Sequence, residues 1–171
     1  VYLGDNPPVK LLSYRLPEMS EGYNFDVCTT DALINRTKAL DGDIVLPDGM
    51  KYRMLVLQKD CEMTLAALRH IAALVKQGVP LYGDRPAYPV SLAERMHDNE
   101  YDKMETALWG TGKKESGVHS LGKGHVYWGM TLEEALRKEE IRPDIILKSG
   151  NEPEDRMYFT HRHLPDVDIY F

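Results

Sequence analysis

Tyr52-Arg53-Met54-Leu55-Val56-Leu57-Gln58-Lys59-Asp60-Cys61-Glu62-Met63-Thr64 runs into Leu65–Gly78 and then Val79-Pro80-Leu81-Tyr82-Gly83. Met54–Leu57 is a short continuous apolar run, the pattern of a strand buried on both faces. From Leu65 the apolar positions fall at 65, 68, 71, 72 and 75, one stripe of a helix, which Gly78 stops. Val79–Tyr82 then returns to an extended pattern. A strand–helix–strand crossover of this kind implies a parallel sheet. Cys61 stands at the carboxyl end of the first strand, leading into the helix, where open α/β sheets hold their chemistry.

Outward from this unit, Tyr2–Gly4 reads as a first strand and Phe25–Cys28 as a second. Thr29 or Thr30 would cap a helix over Asp31–Leu40. Ile44-Val45-Leu46, the turn Pro47-Asp48-Gly49 and Tyr52–Leu57 predict a hairpin feeding the central strand. A loop rich in Gly and Pro follows over Gly83–Pro89, then a helix over Asn99–Trp109 with Tyr101, Met104 and Leu108 on one side. Thr111–Gly124 holds four glycines and reads as a mobile loop. His125–Trp128 is the next strand, and Thr131-Leu132-Glu133-Glu134 matches a capping box opening a helix to about Glu140. Pro143–Leu147 reads as a strand, and Arg156–Phe171 as two strands joined at Leu164-Pro165-Asp166. Alternating strands and helices predict an α/β fold with a mostly parallel sheet and antiparallel strands added at one edge.

Composition narrows the function classes. With 171 residues, 43% hydrophobic and 28% charged, a single domain with a sizeable core is expected. A net charge of −6 without any basic face argues against a nucleic-acid partner. No run approaches the length needed to cross a membrane, so no membrane partner is expected either. Cys28 and Cys61 form neither a disulfide framework nor a metal spacing. No Gly-x-Gly-x-x-Gly or Walker pattern occurs, and no cofactor is expected. The chain opens inside a strand, Val1–Gly4, without an initiator methionine, and closes inside another, Asp168–Phe171. Those ends lead us to expect one domain excised from a larger multidomain protein.

Cys61 is the first candidate for chemistry. A nucleophile on a strand-to-helix elbow needs small neighbours, because the turn is tight. Here the neighbours are Asp60 and Glu62, whose carboxylates oppose thiolate formation although the helix N-terminus favours it. The late candidates for its general base are His161 and His163. These two alternate on a predicted strand and would share a face, with Arg162 on the other. That geometry suits two metal ligands, but a zinc site needs a third, and neither His119 nor His125 is assignable to it from sequence. Histidines hydrogen-bonded on a partly exposed strand are the preferred reading, and no metal is expected.

The loops Gly4-Asp5-Asn6, Gln58-Lys59-Asp60 and Gly83-Asp84-Arg85 would gather at one sheet edge, which can bind a small polar ligand. Asp5 and Asp84, with Cys61, His161, Arg162 and His163, are therefore the candidates for a ligand or interface site. Trp109 and Trp128 could form a sugar-stacking platform, although buried packing is the commoner role. Glycosidase chemistry needs two carboxylates placed roughly 5–10 Å apart across one bond, and no such pair stands out here. No catalytic residue is assigned.

Several stretches together resemble one family. Leu46-Pro47-Asp48-Gly49-Met50-Lys51-Tyr52-Arg53-Met54-Leu55-Val56-Leu57, the helix Leu65–Gly78, the segment Gly124–Gly129 and above all His161-Arg162-His163-Leu164-Pro165-Asp166-Val167-Asp168-Ile169-Tyr170-Phe171 resemble the α-L-rhamnosidase-like proteins of glycoside hydrolase family 106. The resemblance covers most of the chain. It implies a three-layer, flavodoxin-like domain similar to class I glutamine amidotransferases, lying after a catalytic (β/α)-barrel and before β-sandwich modules. Those domains would be its partners, with a homo-oligomer as a further one, in a periplasmic or extracellular setting. The resemblance places the catalytic acid, base and calcium site on the barrel, so no position here inherits a catalytic role. It implies a non-catalytic accessory domain of a carbohydrate-active enzyme, for packing, oligomerisation or shaping the substrate cleft. The alternative is a free-standing amidotransferase-like cysteine hydrolase using Cys61 and His161. Against that alternative, class I amidotransferases flank their cysteine with glycines and carry a later His-x-Glu pair, and this chain has neither.

Overall fold

The computed structural model describes residues 1–5, 22–86, 99–111, 115–146, 159–164 and 166–171. In chain order come α1 (Thr30–Arg36), β1 (Lys38–Leu40), β2 (Asp43–Val45), β3 (Lys51–Tyr52), β4 (Leu55–Val56), α2 (Leu65–Lys76) and β5 (Leu81–Tyr82). They are followed by α3 (Asn99–Trp109), β6 (Gly117–Leu121), β7 (Gly124–Trp128), α4 (Leu132–Lys138), β8 (His161–Leu164) and β9 (Val167–Tyr170). The fold is mixed α/β, with both parallel and antiparallel strands.

The central sheet has the order β4-β5-β7-β6. β5 is parallel to both β4 and β7, while β6 runs antiparallel at the edge. Tyr2 extends this sheet through parallel bridges to Leu57 on one side and Cys28 on the other. Its backbone N–H donates to Val56 O at 2.7 Å and its carbonyl accepts from Gln58 N at 3.0 Å. From edge to edge the strand positions are therefore Cys28, Tyr2, β4, β5, β7 and β6.

Alternation along the strands explains the continuous apolar run. Successive side chains point to opposite faces. Leu55, Leu57, Leu81 and Val126 join a large core with Leu68, Ile71 and Val75 of α2 and Leu108 and Trp109 of α3. Val56 joins Leu132 and Leu136 of α4 in a second core, against which Met54 and Tyr82 pack. Both faces of the sheet are thus covered by helices, as parallel strands require.

α2 matches its predicted stripe. Thr64 caps it, with Oγ1 accepting from Ala67 N at 3.3 Å, and Leu65, Leu68, Ile71, Ala72 and Val75 are all buried. α3 spans the predicted Asn99–Trp109. The capping box forms as read: Thr131 Oγ1 accepts from Glu134 N while Glu134 Oε2 accepts from Thr131 N.

Other elements differ from expectation. The helix expected over Asp31–Leu40 ends at Arg36. Thr37 turns extended and donates from Oγ1 to Leu33 O at 2.6 Å, leaving that oxygen to accept from His70 Nε2 at 2.9 Å. Lys38–Leu40 then becomes a strand paired with β2, and β2 pairs with β3 around the predicted Pro47-Asp48-Gly49 turn. The single strand expected over Tyr52–Leu57, however, divides into β3, in this three-stranded sheet, and β4, in the central one. The loop expected over Thr111–Gly124 contains β6, which forms a hairpin with β7 closed by Gly122-Lys123. Gly122, at φ +65°, takes the first position of that two-residue turn. The strand expected at Pro143–Leu147 is not formed over 143–146. The terminal hairpin pairs β8 with β9 as read, but as a two-stranded sheet of its own; the antiparallel strand at the edge of the central sheet is β6 instead.

Replacing Leu68, which has no exposed surface, by Ala should cost about 2–5 kcal/mol of unfolding free energy. Thr131→Ala, which removes an exposed cap, should cost only about 1 kcal/mol. Urea denaturation of the two variants measures both.

Candidate functional site

The elbow between β4 and α2 is built from three distant pieces of chain. Asp60, at φ +56°, takes the left-handed conformation of the turn, and Cys61 follows it in ordinary geometry. Asp is among the residues that accept this region. Gly4 comes so close that a Cβ there would lie 2.6 Å from Glu62 O and 3.0 Å from Cys61 Sγ. Its φ of +87° makes glycine doubly required. Asp5 N donates to Glu62 O at 2.8 Å, which fastens the first loop onto the elbow.

The Asp5 carboxylate then turns to the start of α2. Its Oδ2 accepts from Thr64 N at 2.5 Å and from the Tyr2 hydroxyl at 3.2 Å. Tyr2 OH also meets Thr30 Oγ1 at 3.1 Å. A carboxylate is what the positive end of a helix attracts, so the chain supplies its own anion there. Cys61 is only 5% exposed. Burial, then the charges of Asp5 and Glu62, push its thiol up to about 12. At neutral pH Cys61 is a buried, protonated thiol.

The predicted clustering of loops at the carboxyl edge is observed for Gly4-Asp5, Gln58–Asp60 and Gly83. A Cβ on Gly83 would meet Leu57 Cβ at 2.5 Å, and Gly83 N donates to Tyr127 O. Asp84 is exposed at this edge, and Arg85 turns to Gly110 O at 2.8 Å and Glu105 at 3.5 Å. Asn6 lies outside the described residues. The tryptophans belong to the core. Trp109 is 3% exposed and its Nε1 donates to Gly83 O, while the Trp128 ring fills the space left by Gly117.

The late histidines sit elsewhere. His161 Nε2 lies 2.9 Å from Asp168 Oδ1 and Nδ1 lies 3.4 Å from Asp144 Oδ2. The ring stacks on Tyr170 with centroids 4.4 Å apart. The hydrogen bond to Asp168 raises its pKa above the ordinary imidazole value, with Asp144 helping and burial opposing. These contacts share no residue with those of Cys61. His125 pairs with Glu139 at 2.9 Å, and His119 packs beside Gly110. Among the described residues no three His, Cys, Asp or Glu side chains are arranged to hold a metal ion. Arg162 and His163 lie within β8, opposite Ile169 and Asp168.

The family model described as glycoside hydrolase 106, alpha-L-rhamnosidase, matches residues 1–171. The chain belongs to this family. A rhamnosidase of known structure from Novosphingobium sp. PP1Y superposes with a TM-score of 0.85 over 99% of the chain, at 28% identity. A Formosa agariphila protein, provisionally named a beta-glucuronidase, is 25% identical over the whole chain. The chain spans 16% of the first relative and 13% of the second. The resemblance read from the terminal motif and the central unit is thus the family itself.

Sequence reasoning singled out Asp5 and Cys61 but not Tyr2, Thr30 and Thr64, which complete the elbow network. Thr64 carried a signal, since it directly precedes the helical stripe and is a capping residue type. In the native chain at pH 7.5, Cys61 should react with iodoacetamide roughly a thousandfold more slowly than an ordinary thiol, following its thiolate fraction. Mass spectrometry of timed digests reads that rate. Asp5→Ala should lower stability by about 1–3 kcal/mol, by leaving Thr64 N–H and Tyr2 OH short of an acceptor, and should speed the labelling.

Proposed function

We propose that this chain is a non-catalytic accessory domain of a carbohydrate-active glycoside hydrolase of the α-L-rhamnosidase type, serving packing, oligomerisation or the shaping of a substrate cleft. Its fold is then the flavodoxin-like, amidotransferase-like one. Support comes from the order Cys28, Tyr2, β4, β5, β7, which in chain sequence is 2-1-3-4-5, the flavodoxin order, with β6 as an antiparallel addition. In such sheets ligands bind where the order reverses, outside the carboxyl ends of the first and third strands. Here that place lies between Tyr2 and Leu57, at the Asp5–Thr64 contact.

The observation that carries the proposal is this filled crevice: Asp5 takes the helix terminus and Cys61 lies protonated under Gly4. The two relatives are named for different sugars, so the likeness supports glycoside cleavage by the larger protein and leaves the sugar open. A (β/α)-barrel before this domain and β-sandwich modules after it are the partners the reading assigns. The cysteine-hydrolase alternative would need Cys61 and His161 to act together, and His161 is engaged through both ring nitrogens by Asp144 and Asp168.

The purified chain should release no phenol from an aryl α-L-rhamnoside and no ammonia from glutamine. In a longer polypeptide that does hydrolyse the rhamnoside, Cys61→Ala should leave kcat/KM within about twofold, well under the tenfold that 1.4 kcal/mol represents. Turnover by the chain alone that disappears in Cys61→Ala would replace this reading with the cysteine hydrolase.

A further inference from the structure

The β8–β9 hairpin meets the body of the domain through few described contacts. Asn24 Nδ2 donates to Phe159 O at 3.0 Å, and the His161–Asp144 pair spans 3.4 Å. Within the hairpin, Thr160 and Phe171 exchange both backbone hydrogen bonds, at 3.1 and 3.0 Å. Asp144 belongs to the body: its N–H donates to Gly22 O at 2.8 Å, in the segment after α4.

His161 is thus placed between a carboxylate of its own hairpin and a carboxylate of the body. A neutral imidazole carries one N–H and one lone pair, so it donates to a single carboxylate and turns the lone pair toward the other. The imidazolium donates from both nitrogens. With carboxylates at both, the site is complementary to the cation. Among the described residues the charged groups facing the ring are Asp144 from the segment after α4 and Asp168 from β9, and Tyr170 presents a neutral ring stacked at an interplanar angle of 4°. The His161 side chain is 19% exposed, so water reaches it and the proton exchanges without unfolding.

We propose that His161 is a proton-operated clasp that, as the imidazolium, ties the β8–β9 hairpin to the Asp144 segment and, on losing its proton, lets that tie go while keeping the Asp168 bond. The upward shift of the His161 pKa by its two partners agrees in direction. A raised folded pKa means that the stabilisation is fully present below the ordinary imidazole midpoint of about 6.5 and is lost as pH rises through His161's own, higher midpoint.

The test is a titration of the full chain from pH 5 to 9 by two-dimensional NMR, following the His161 ring and the backbone amides of Ile145, Thr160 and Phe171. The expected result is a His161 midpoint above 6.5, shared by the Ile145 amide, with the Thr160 and Phe171 amides still hydrogen-bonded at both ends of the range. Asp144→Asn should lower that midpoint and abolish the Ile145 response while sparing the hairpin amides. A midpoint at or below 6.5, an Ile145 amide indifferent to the His161 titration, or a midpoint unmoved in Asp144→Asn would each overturn the clasp.

Discussion

Short parallel strands cannot be left with one face in water, and the rest of this domain follows from meeting that demand at Leu55–Leu57. The strand is flanked by Tyr2 on one side and β5 on the other, so its backbone groups are spent in the sheet. Its side chains alternate between α2 on one face and α4 on the other. Burying an apolar side chain of this size contributes about 1.5–3 kcal/mol. That gain is available on both faces only if the crossover helix and α4 lie on opposite sides. The antiparallel pair β6–β7 then closes one edge, and the Tyr2 and Cys28 bridges extend the other.

The same arrangement creates a problem at the carboxyl edge. α2 begins there with backbone N–H groups unsatisfied by the helix itself, in a crevice where related architectures receive an anionic ligand. Thr64 answers one of them from its own side chain. Asp5 answers another from 59 positions away, and only because Gly4 lets the first loop pass against Cys61. The network is closed by Tyr2 and Thr30, so the carboxylate is held rather than merely nearby. An elbow satisfied in this way spends the Thr64 N–H on the chain's own carboxylate, and its thiol is kept protonated first by burial and then by the Asp5 and Glu62 charges.

How much of this was legible in the sequence depended on how local the cause was. α2, α3 and the α4 capping box were readable because stripe and caps are short-range properties. β6 was read as part of a loop because Thr111–Gly124 holds four glycines, yet two of them are what make the hairpin: Gly122 turns it, and Gly117 leaves room for the Trp128 ring. The end of α1 was missed for a related reason. Asp41-Gly42, both at positive φ, is the sequence signature of a tight two-residue hairpin turn and claims Lys38–Leu40 for a strand. At the elbow, Asp60 and Glu62 correctly argued against a reactive thiol, but Asp60 also serves as the strained residue of the turn. The contribution of Asp5 lay beyond any local pattern.

The terminal hairpin shows where sequence likeness and self-sufficiency part. His161–Phe171 carries the most specific part of the family resemblance, yet a lone two-stranded hairpin is marginal in water without something to pack on. Val167 and Phe171 are 50% and 76% exposed, so these two apolar side chains do little to fix it to this domain. Among the described residues the ties to the body are polar: the Asn24 amide and the imidazole set between Asp144 and Asp168. Polar ties on a partly exposed surface are individually weak, and an ionic one answers to protons in a way that the packed sheet does not. The domain therefore joins a core in which Asp5 is tied to Thr64 and Cys61 is buried to a hairpin whose described ties are polar and open to water.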